Sequence, residues 1–246
     1  MIDLGGQDGA PVLSLGGGMF KASIILFDTI PGTKEFTVPN GVTKIRAFVI
    51  GPGGIGGGGY SEKSIDVVAG QKFAYTVGVG SKGSAASTSS FGGLISASGG
   101  MVLGGVGLGG DVNFSGGNGT ALSGSTVVKN SGGSAATRYC DGGAGGITSN
   151  NGAHVPGAGF KSDYMNSIDG WGLGMVPGSY GHGGTYATGV DTPAFWTLAT
   201  MGGGGSSPGY GPQPGNGSLP GIGGGASSNQ TYHPGGNGAV GVEVLI

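Results

Sequence analysis

Residues 44–68 read KIRAFVIGPGGIGGGGYSEKSIDVV and place a glycine run between two strand patterns. In residues 44–50 every second residue from Ile45 to Val49 is apolar, and this period of two predicts a β-strand with one buried face. Phe48 joins the charged residues on the other face. Residues 60–68 alternate in the same way. The stretch therefore predicts two strands joined by a backbone that carries almost no side chains.

Further strand patterns lie on both sides of this stretch. Residues 35–38 form a short alternating run that ends at the turn sequence Pro39-Asn40-Gly41. Residues 60–68 and 72–79 are separated by Ala69-Gly70-Gln71, which predicts a hairpin with a short loop. Residues 90–97 predict a second hairpin around Gly92 and Gly93.

The last eight residues, 239–246, read AVGVEVLI and alternate once more. A terminal strand this apolar needs a partner sheet, and the N-terminal strands are the simplest partner because chain ends often meet. We therefore predict an all-β fold, with a small β-sandwich-like sheet built from residues 34–100 and 235–246. Residues 1–33 are predicted to be an attachment or strap segment that contains one buried strand at residues 22–27.

Residues 101–234 carry no strand pattern and are predicted to be one large insertion. Glycine fills 65 of the 246 positions of the chain, only 9% of residues are charged, and no Lys or Arg follows Lys161. Many glycines of the insertion recur at every third residue, which is the period of a polyproline-II helix. We expect short extended segments whose glycine faces touch and whose main chains hydrogen-bond to one another, together with loops. A flexible linker is the alternative, but the large aromatic residues of this region are atypical of linkers.

Composition and motifs exclude several classes of function. The net charge of −2 and the absence of basic clusters argue against nucleic-acid binding. No stretch is long and apolar enough for a membrane span, and residues 1–18 do not have the pattern of a secretory signal, so synthesis in a cytoplasm is expected. The match of residues 51–56 to G-x-G-x-x-G and of residues 205–209 to G-x-S-x-G is expected by chance in so glycine-rich a chain. We expect no cofactor, no metal and no catalysis, because the histidines and the acids of the insertion are dispersed.

Several of these patterns together resemble the glycine-rich domain of bacteriophage tail fibres. The matching residues are FTVPNGVT at 36–43, GYSEK at 59–63, AGQ at 69–71, TVGVG at 76–80, SSFG at 89–92 and GAVGVEV at 238–244. The resemblance covers roughly residues 34–100 and 235–246. The interior is similar in style to the glycine-rich distal adhesins of T-even-like phages, in which loops at the end of a polyglycine bundle contact the host.

This resemblance implies a virion protein that binds a bacterial surface receptor, either an outer-membrane protein or a polysaccharide. Other virion proteins are the expected partners, and the expected assembly is a homotrimer. The alternative is a purely structural virion protein, such as a head fibre, a decoration protein or a fibre shaft. An enzyme acting on cell-wall polysaccharide is the weakest hypothesis.

Aromatic residues in three stretches that interrupt the glycine pattern are the candidate receptor-binding residues. Rigid aromatic side chains beside Gly, Ser and Asn are also the composition of antibody binding loops. The alternative is that these aromatics fill gaps in a core that glycine cannot fill. The candidates are Tyr164, Trp171, Tyr180, Tyr186, Phe195, Trp196, Tyr210 and Tyr232.

Overall fold

The computed structural model describes residues 22–81, 87–119, 129–130, 133–143, 147–148 and 235–245. The described residues form strands and no helix, so the predicted all-β class is confirmed for them. The strands are β1 (Ala22–Asp28), β2 (Gly32–Thr37), β3 (Lys44–Ile50), β4 (Tyr60–Asp66), β5 (Lys72–Val77), β6 (Thr88–Phe91), β7 (Ile95–Ser98), β8 (Gly107–Leu108), β9 (Val112–Phe114), β10 (Lys129–Asn130), β11 (Ile147–Thr148) and β12 (Ala239–Leu245).

Ten of these strands form two antiparallel five-stranded sheets. Sheet 1 has the order β1-β12-β3-β4-β9 and sheet 2 the order β2-β5-β6-β7-β8. The C-terminal strand β12 lies between β1 and β3, so its predicted pairing with the N-terminal strands is confirmed. The strand predicted at residues 22–27 is also confirmed as β1, but residues 24–27 are half-buried and not buried as predicted. Part of the segment predicted as a strap, residues 1–33, therefore forms the edge strand of sheet 1.

The two sheets pack face to face around one apolar core. Ile45, Ala47 and Val49 of β3 point into it, as their alternation predicts, and each is completely buried. Sheet 2 contributes aromatic rings, of which Phe73 and Phe91 stack with centroids 5.1 Å apart. Phe48 lies on the opposite face of β3 and belongs to a second buried cluster on the outer side of sheet 1.

The predicted hairpin of residues 60–68 and 72–79 is wrong. Strand β4 pairs with β3 and β9, whereas β5 pairs with β2 and β6 in the other sheet. The turn itself forms, since Gln71 N donates to Val68 O at 3.0 Å, but the Gly70 N–H bonds to Val38 O and the connection crosses between the sheets. Alternation specifies which face of a strand is buried and does not specify its partner. The hairpin predicted at residues 90–97 is confirmed as β6 and β7, with Gly92 and Gly93 both at positive φ.

Residues 101–234 carry no strand pattern in the sequence, yet their described part contains four short strands. Strand β8 extends sheet 2 at its edge, β9 extends sheet 1 at its edge, and β10 pairs with β11 separately. These strands are two or three residues long, too short for any periodicity to be visible in the sequence.

Candidate functional site: a glycine lattice at one end of the two sheets

Glycine-rich segments leave the sheets at a single end of the sandwich. Ile50, the last residue of β3, pairs with Tyr60 at the start of β4 and with Ala239 at the start of β12. Sheet 2 meets them there, because Gly59 N donates to Ser98 O at the end of β7. We call these segments together the glycine lattice. They are residues 51–59, 78–81, 98–106, 115–119, 133–143 and 235–238.

Residues 51–59, the central segment, hydrogen-bond to every other segment of the lattice. The bonds are Gly53 N to Gly236 O at 2.7 Å, Ser81 N to Gly53 O at 3.0 Å, Ile55 N to Met101 O at 2.9 Å, Gly57 N to Gly117 O at 2.9 Å and Ala136 N to Gly58 O at 2.9 Å. All ten residues from Gly51 to Tyr60 are buried. The lattice is thus held by main-chain bonds between segments that are remote in sequence, which satisfies backbone groups that would otherwise be buried without partners.

Glycine is required in the lattice because the segments approach too closely for a side chain. A methyl group added at Gly57 would overlap the carbonyl group of Ser134, and one at Gly116 would overlap that of Gly57. The described lattice glycines of the three-residue pattern with a main-chain overlap are Gly104, Gly116, Gly119, Gly142, Gly235 and Gly238. Gly107 and Gly110, beside the lattice, show the same overlap, whereas at Gly241 the added methyl group would meet the Phe48 ring. The lattice glycines that recur at every third residue are therefore positions at which one main-chain segment touches another. The glycines of the same pattern between residues 144 and 234 lie outside the described residues.

A ring of four charged side chains connects the lattice to the outer face of sheet 1. Arg138 donates from Nε to Glu62 at 2.6 Å and from Nη2 to Glu243 at 3.0 Å. Arg46, cross-strand from Glu243, donates from Nη1 to the other oxygen of Glu243 at 3.1 Å and lies 3.7 Å from Glu62. The side chain of Glu243 is only 2% exposed. Two guanidinium groups therefore balance two buried carboxylates.

Two aromatic side chains, Phe48 and Tyr60, contact members of this charged ring. The Arg138 guanidinium lies 5.6 Å from the centroid of Phe48, a cation–π distance. The hydroxyl of Tyr60 donates to Glu62 Oε2 at 2.7 Å. Burial, together with the neighbouring carboxylate of Glu62, raises the pKa of Tyr60 far above its ordinary value, so the hydroxyl keeps its proton. Burial alone would lower the pKa of Arg138, but Tyr60, Glu62 and Glu243 outweigh it and raise that pKa.

The eight predicted receptor-binding residues all lie outside the described residues, so their prediction stays a prediction. They are Tyr164, Trp171, Tyr180, Tyr186, Phe195, Trp196, Tyr210 and Tyr232. The segment that contains them begins after Gly143 and ends before Gly235. Both of these glycines belong to the lattice: Ser134 N donates to Gly143 O, and Gly235 N donates to Ser81 O.

The described structure bears on two other kinds of site, a dinucleotide site and a metal site. Residues 51–56 are followed by strand β4 and not by the helix that a dinucleotide site requires. Within the described ranges, no group of three or more His, Cys, Asp or Glu side chains is placed to hold a metal ion. The described part of the chain also contains no helix with the length and hydrophobicity needed to cross a membrane.

Sequence reasoning missed the charged ring. A signal existed for two of its members, because Arg46 and Glu243 each interrupt an apolar strand and occupy the outward face. Opposite charges at such positions predict a cross-strand pair. Arg138 offers no comparable signal, since it lies in a segment without periodicity.

No protein-family model matches this chain, and no curated protein matches it.

Proposed function

We propose that this chain is a bacteriophage fibre or tail-spike component that binds a host receptor and has no catalytic activity. The observation that carries the proposal is the arrangement of the two ends of the sandwich. Ala22 at the start of β1 pairs with Leu245 at the end of β12, so the chain enters and leaves the sheets at the end opposite the lattice. We propose that the end with Ala22 and Leu245 attaches to the virion, so that the lattice end would face away from it.

The lattice supports this interpretation because its main chains hydrogen-bond to one another and its described segments carry only two charged residues, Arg138 and Asp141. Binding by flexible loops loses affinity to the entropy of ordering them, and a preorganised base reduces that cost. Gly143 and Gly235, which bound residues 144–234, are both hydrogen-bonded within the lattice. We propose that this insertion continues as polyglycine-like extended segments and loops, and that its eight aromatic residues contact an outer-membrane protein or a polysaccharide. The protein would reside in the virion, with other virion proteins as partners.

The alternative is a purely structural virion protein, and one observation favours it. The outer face of sheet 2 carries a row of hydroxyl side chains, in which Thr33 pairs with Thr76 and Ser90 with Ser96. At the end of this row Leu108 is 58% exposed. The same face also carries the exposed ion pair of Glu35 and Lys72. The centre of a subunit interface is typically depleted of charge, so the contact would be centred on the hydroxyl row. A subunit contact along this whole row suits the homotrimer of a structural fibre shaft.

Replacing Trp171 and Trp196 with alanine separates the two functions. Host adsorption of the purified protein, its oligomeric state and its melting temperature are measured together, with Tyr139→Ala as the control because Tyr139 is an exposed aromatic of the lattice. Lost adsorption with unchanged assembly and melting supports the adhesin. Failed assembly supports the structural alternative. If the unaltered protein binds no susceptible strain, the adhesin proposal is wrong.

A further inference from the structure

Arg138 is the only positively charged residue among the lattice segments that the structure describes. It belongs to residues 133–143, which cover part of the outer face of sheet 1. Main-chain bonds hold this segment on both sides: Gly133 N donates to Ile55 O at 2.9 Å, and Gly142 N donates to Ser115 O at 2.8 Å. Residues 133–137 are buried, and Arg138 is the point at which the segment reaches the charged groups of the sheet.

The outer face of sheet 1 is unbalanced in charge without this segment. Glu62 and Glu243 would then face Arg46 alone. A buried carboxylate without a paired cation is strongly unfavourable, whereas a hydrogen-bonded pair removes most of the penalty. Arg138 supplies the missing cation with one hydrogen bond to each carboxylate. When residues 133–143 lie against sheet 1, the negative charges of Glu62 and Glu243 are therefore balanced by the two arginines.

We infer that Arg138 is a positioning residue that holds residues 133–143 on sheet 1 by neutralising Glu62 and Glu243. It thereby sets the point, Gly143, from which residues 144–234 leave the lattice. The other boundary, residues 235–238, contains no charged residue and is held by bonds such as Gly53 N to Gly236 O. The two boundaries thus differ, because only the first depends on an ionic contact. The consequence for receptor binding rests on the proposed function, but the positioning itself does not.

The sole cysteine of the chain reports directly on this segment. Cys140 is half-buried and lies two residues beyond Arg138, and Thr137 N donates to Cys140 O at 3.0 Å. In Arg138→Met, which keeps most of the side-chain volume, we expect a maleimide to label Cys140 about tenfold faster under native conditions, because the segment opens locally. Amide exchange of β3 should stay slow, which shows that the sheets remain folded.

The matched control is Lys63→Met. It removes the same charge and an ion pair, the 3.7 Å contact of Lys63 with Asp111, away from residues 133–143. Labelling of Cys140 in this control should equal that of the unaltered protein. An unchanged labelling rate in Arg138→Met, or an equal increase in Lys63→Met, overturns the inference.

A second pair of variants tests the charge mechanism, and one of them, Arg138→Lys, does not depend on the folding of Arg138→Met. Adding Glu243→Gln to Arg138→Met leaves one carboxylate with one guanidinium, so labelling should slow again relative to the single variant. Arg138→Lys keeps the charge and loses the two-pronged contact, so an intermediate rate is expected. If the double variant labels as fast as Arg138→Met, or loses its fold as that variant does, neutralisation is not what holds the segment. These measurements use the purified protein, so a failure of host binding would contradict the proposed function alone.

Discussion

The sandwich core and the glycine lattice are both buried, yet they are held by opposite means. In the core, side chains fill the space between the sheets, as with Phe36 and Phe73, which both pack against Phe91. In the lattice, the space is filled by main chain, with Gly105 N bonded to Gly57 O at 2.8 Å. The comparison teaches that a methyl group stabilises the core and destabilises the lattice. Removing carbon damages the core, and adding it damages the lattice.

The largest effect is expected from Phe91→Ala. Phe91 is completely buried and contacts the rings of Phe36 on β2 and Phe73 on β5. Its truncation should therefore lower the free energy of unfolding by about 3–5 kcal/mol. Denaturant titration measures this change, and Phe91→Leu, which leaves a smaller cavity, should cost less. A loss below that of the leucine variant would show that the core does not depend on side-chain packing.

Gly57→Ala tests the lattice in the same way. The new methyl group would overlap the Ser134 carbonyl, which belongs to the main chain and cannot rotate aside, so a loss of about 3 kcal/mol is expected. Hydrogen exchange should speed up at Gly105 N, whose acceptor is Gly57 O, more than at the amides of β3.

The control for this variant is Gly41→Ala. Gly41 has φ +82° and nothing within 4 Å of an added methyl group, so only backbone strain of about 1–2 kcal/mol is expected. If the two alanine variants cost the same, close approach is not what selects glycine at position 57.

Gly241→Ala should have a smaller effect, because its added methyl group meets a side chain. Gly241 pairs with Phe48 across the strands, and the methyl group would overlap the Phe48 ring. A ring can shift, so a loss of about 1–2 kcal/mol is expected. Combining Gly241→Ala with Phe48→Leu should give a loss smaller than the sum of the single losses. Strict additivity would contradict a direct contact.

The smallest effect concerns the acid stability of the sandwich edge. Asp28 accepts hydrogen bonds from Lys34 at 2.6 Å and from the Tyr75 hydroxyl at 2.9 Å. Burial alone would raise the pKa of Asp28, but these bonds and one from the Ile30 N–H hold that pKa below its ordinary 3.8. Burial and Asp28 also raise the pKa of Tyr75 to about 12.

A carboxyl group with a depressed pKa stabilises the fold above 3.8 and loses that contribution as the pH falls through its folded value. Asp28→Asn should therefore cost about 1 kcal/mol at neutral pH, and the difference from the unaltered protein should shrink below pH 3.8. Free energies of unfolding at several pH values measure this. A difference that is constant across the acid range would mean that the charge of Asp28 contributes nothing.

Much of the sheet structure was predictable from the sequence because alternation is a local signal. The inward face of β3 follows from the period of two, and the pairing of β12 with the N-terminal strands follows from its apolar character and from the tendency of chain ends to meet. The pairing of β4 and β5 did not follow, because two strands joined by a short turn have the same pattern whether they lie in one sheet or cross between two. Of the charged ring, the sequence could have predicted the pair of Arg46 and Glu243, but not Arg138, because Arg138 lies in a segment without periodicity.

The sequence alone determined that this chain is a β protein and that its glycines at every third residue admit close approach of main chains. Only the tertiary structure decided which segments approach: the central segment meets residues near 100, 117, 135 and 236, and Arg138 meets Glu62 and Glu243. The physical reason is that glycine permits contact without selecting a partner, because it has no side chain to distinguish one main chain from another. The choice of partner comes from the sheets, which bring all these segments out at one end.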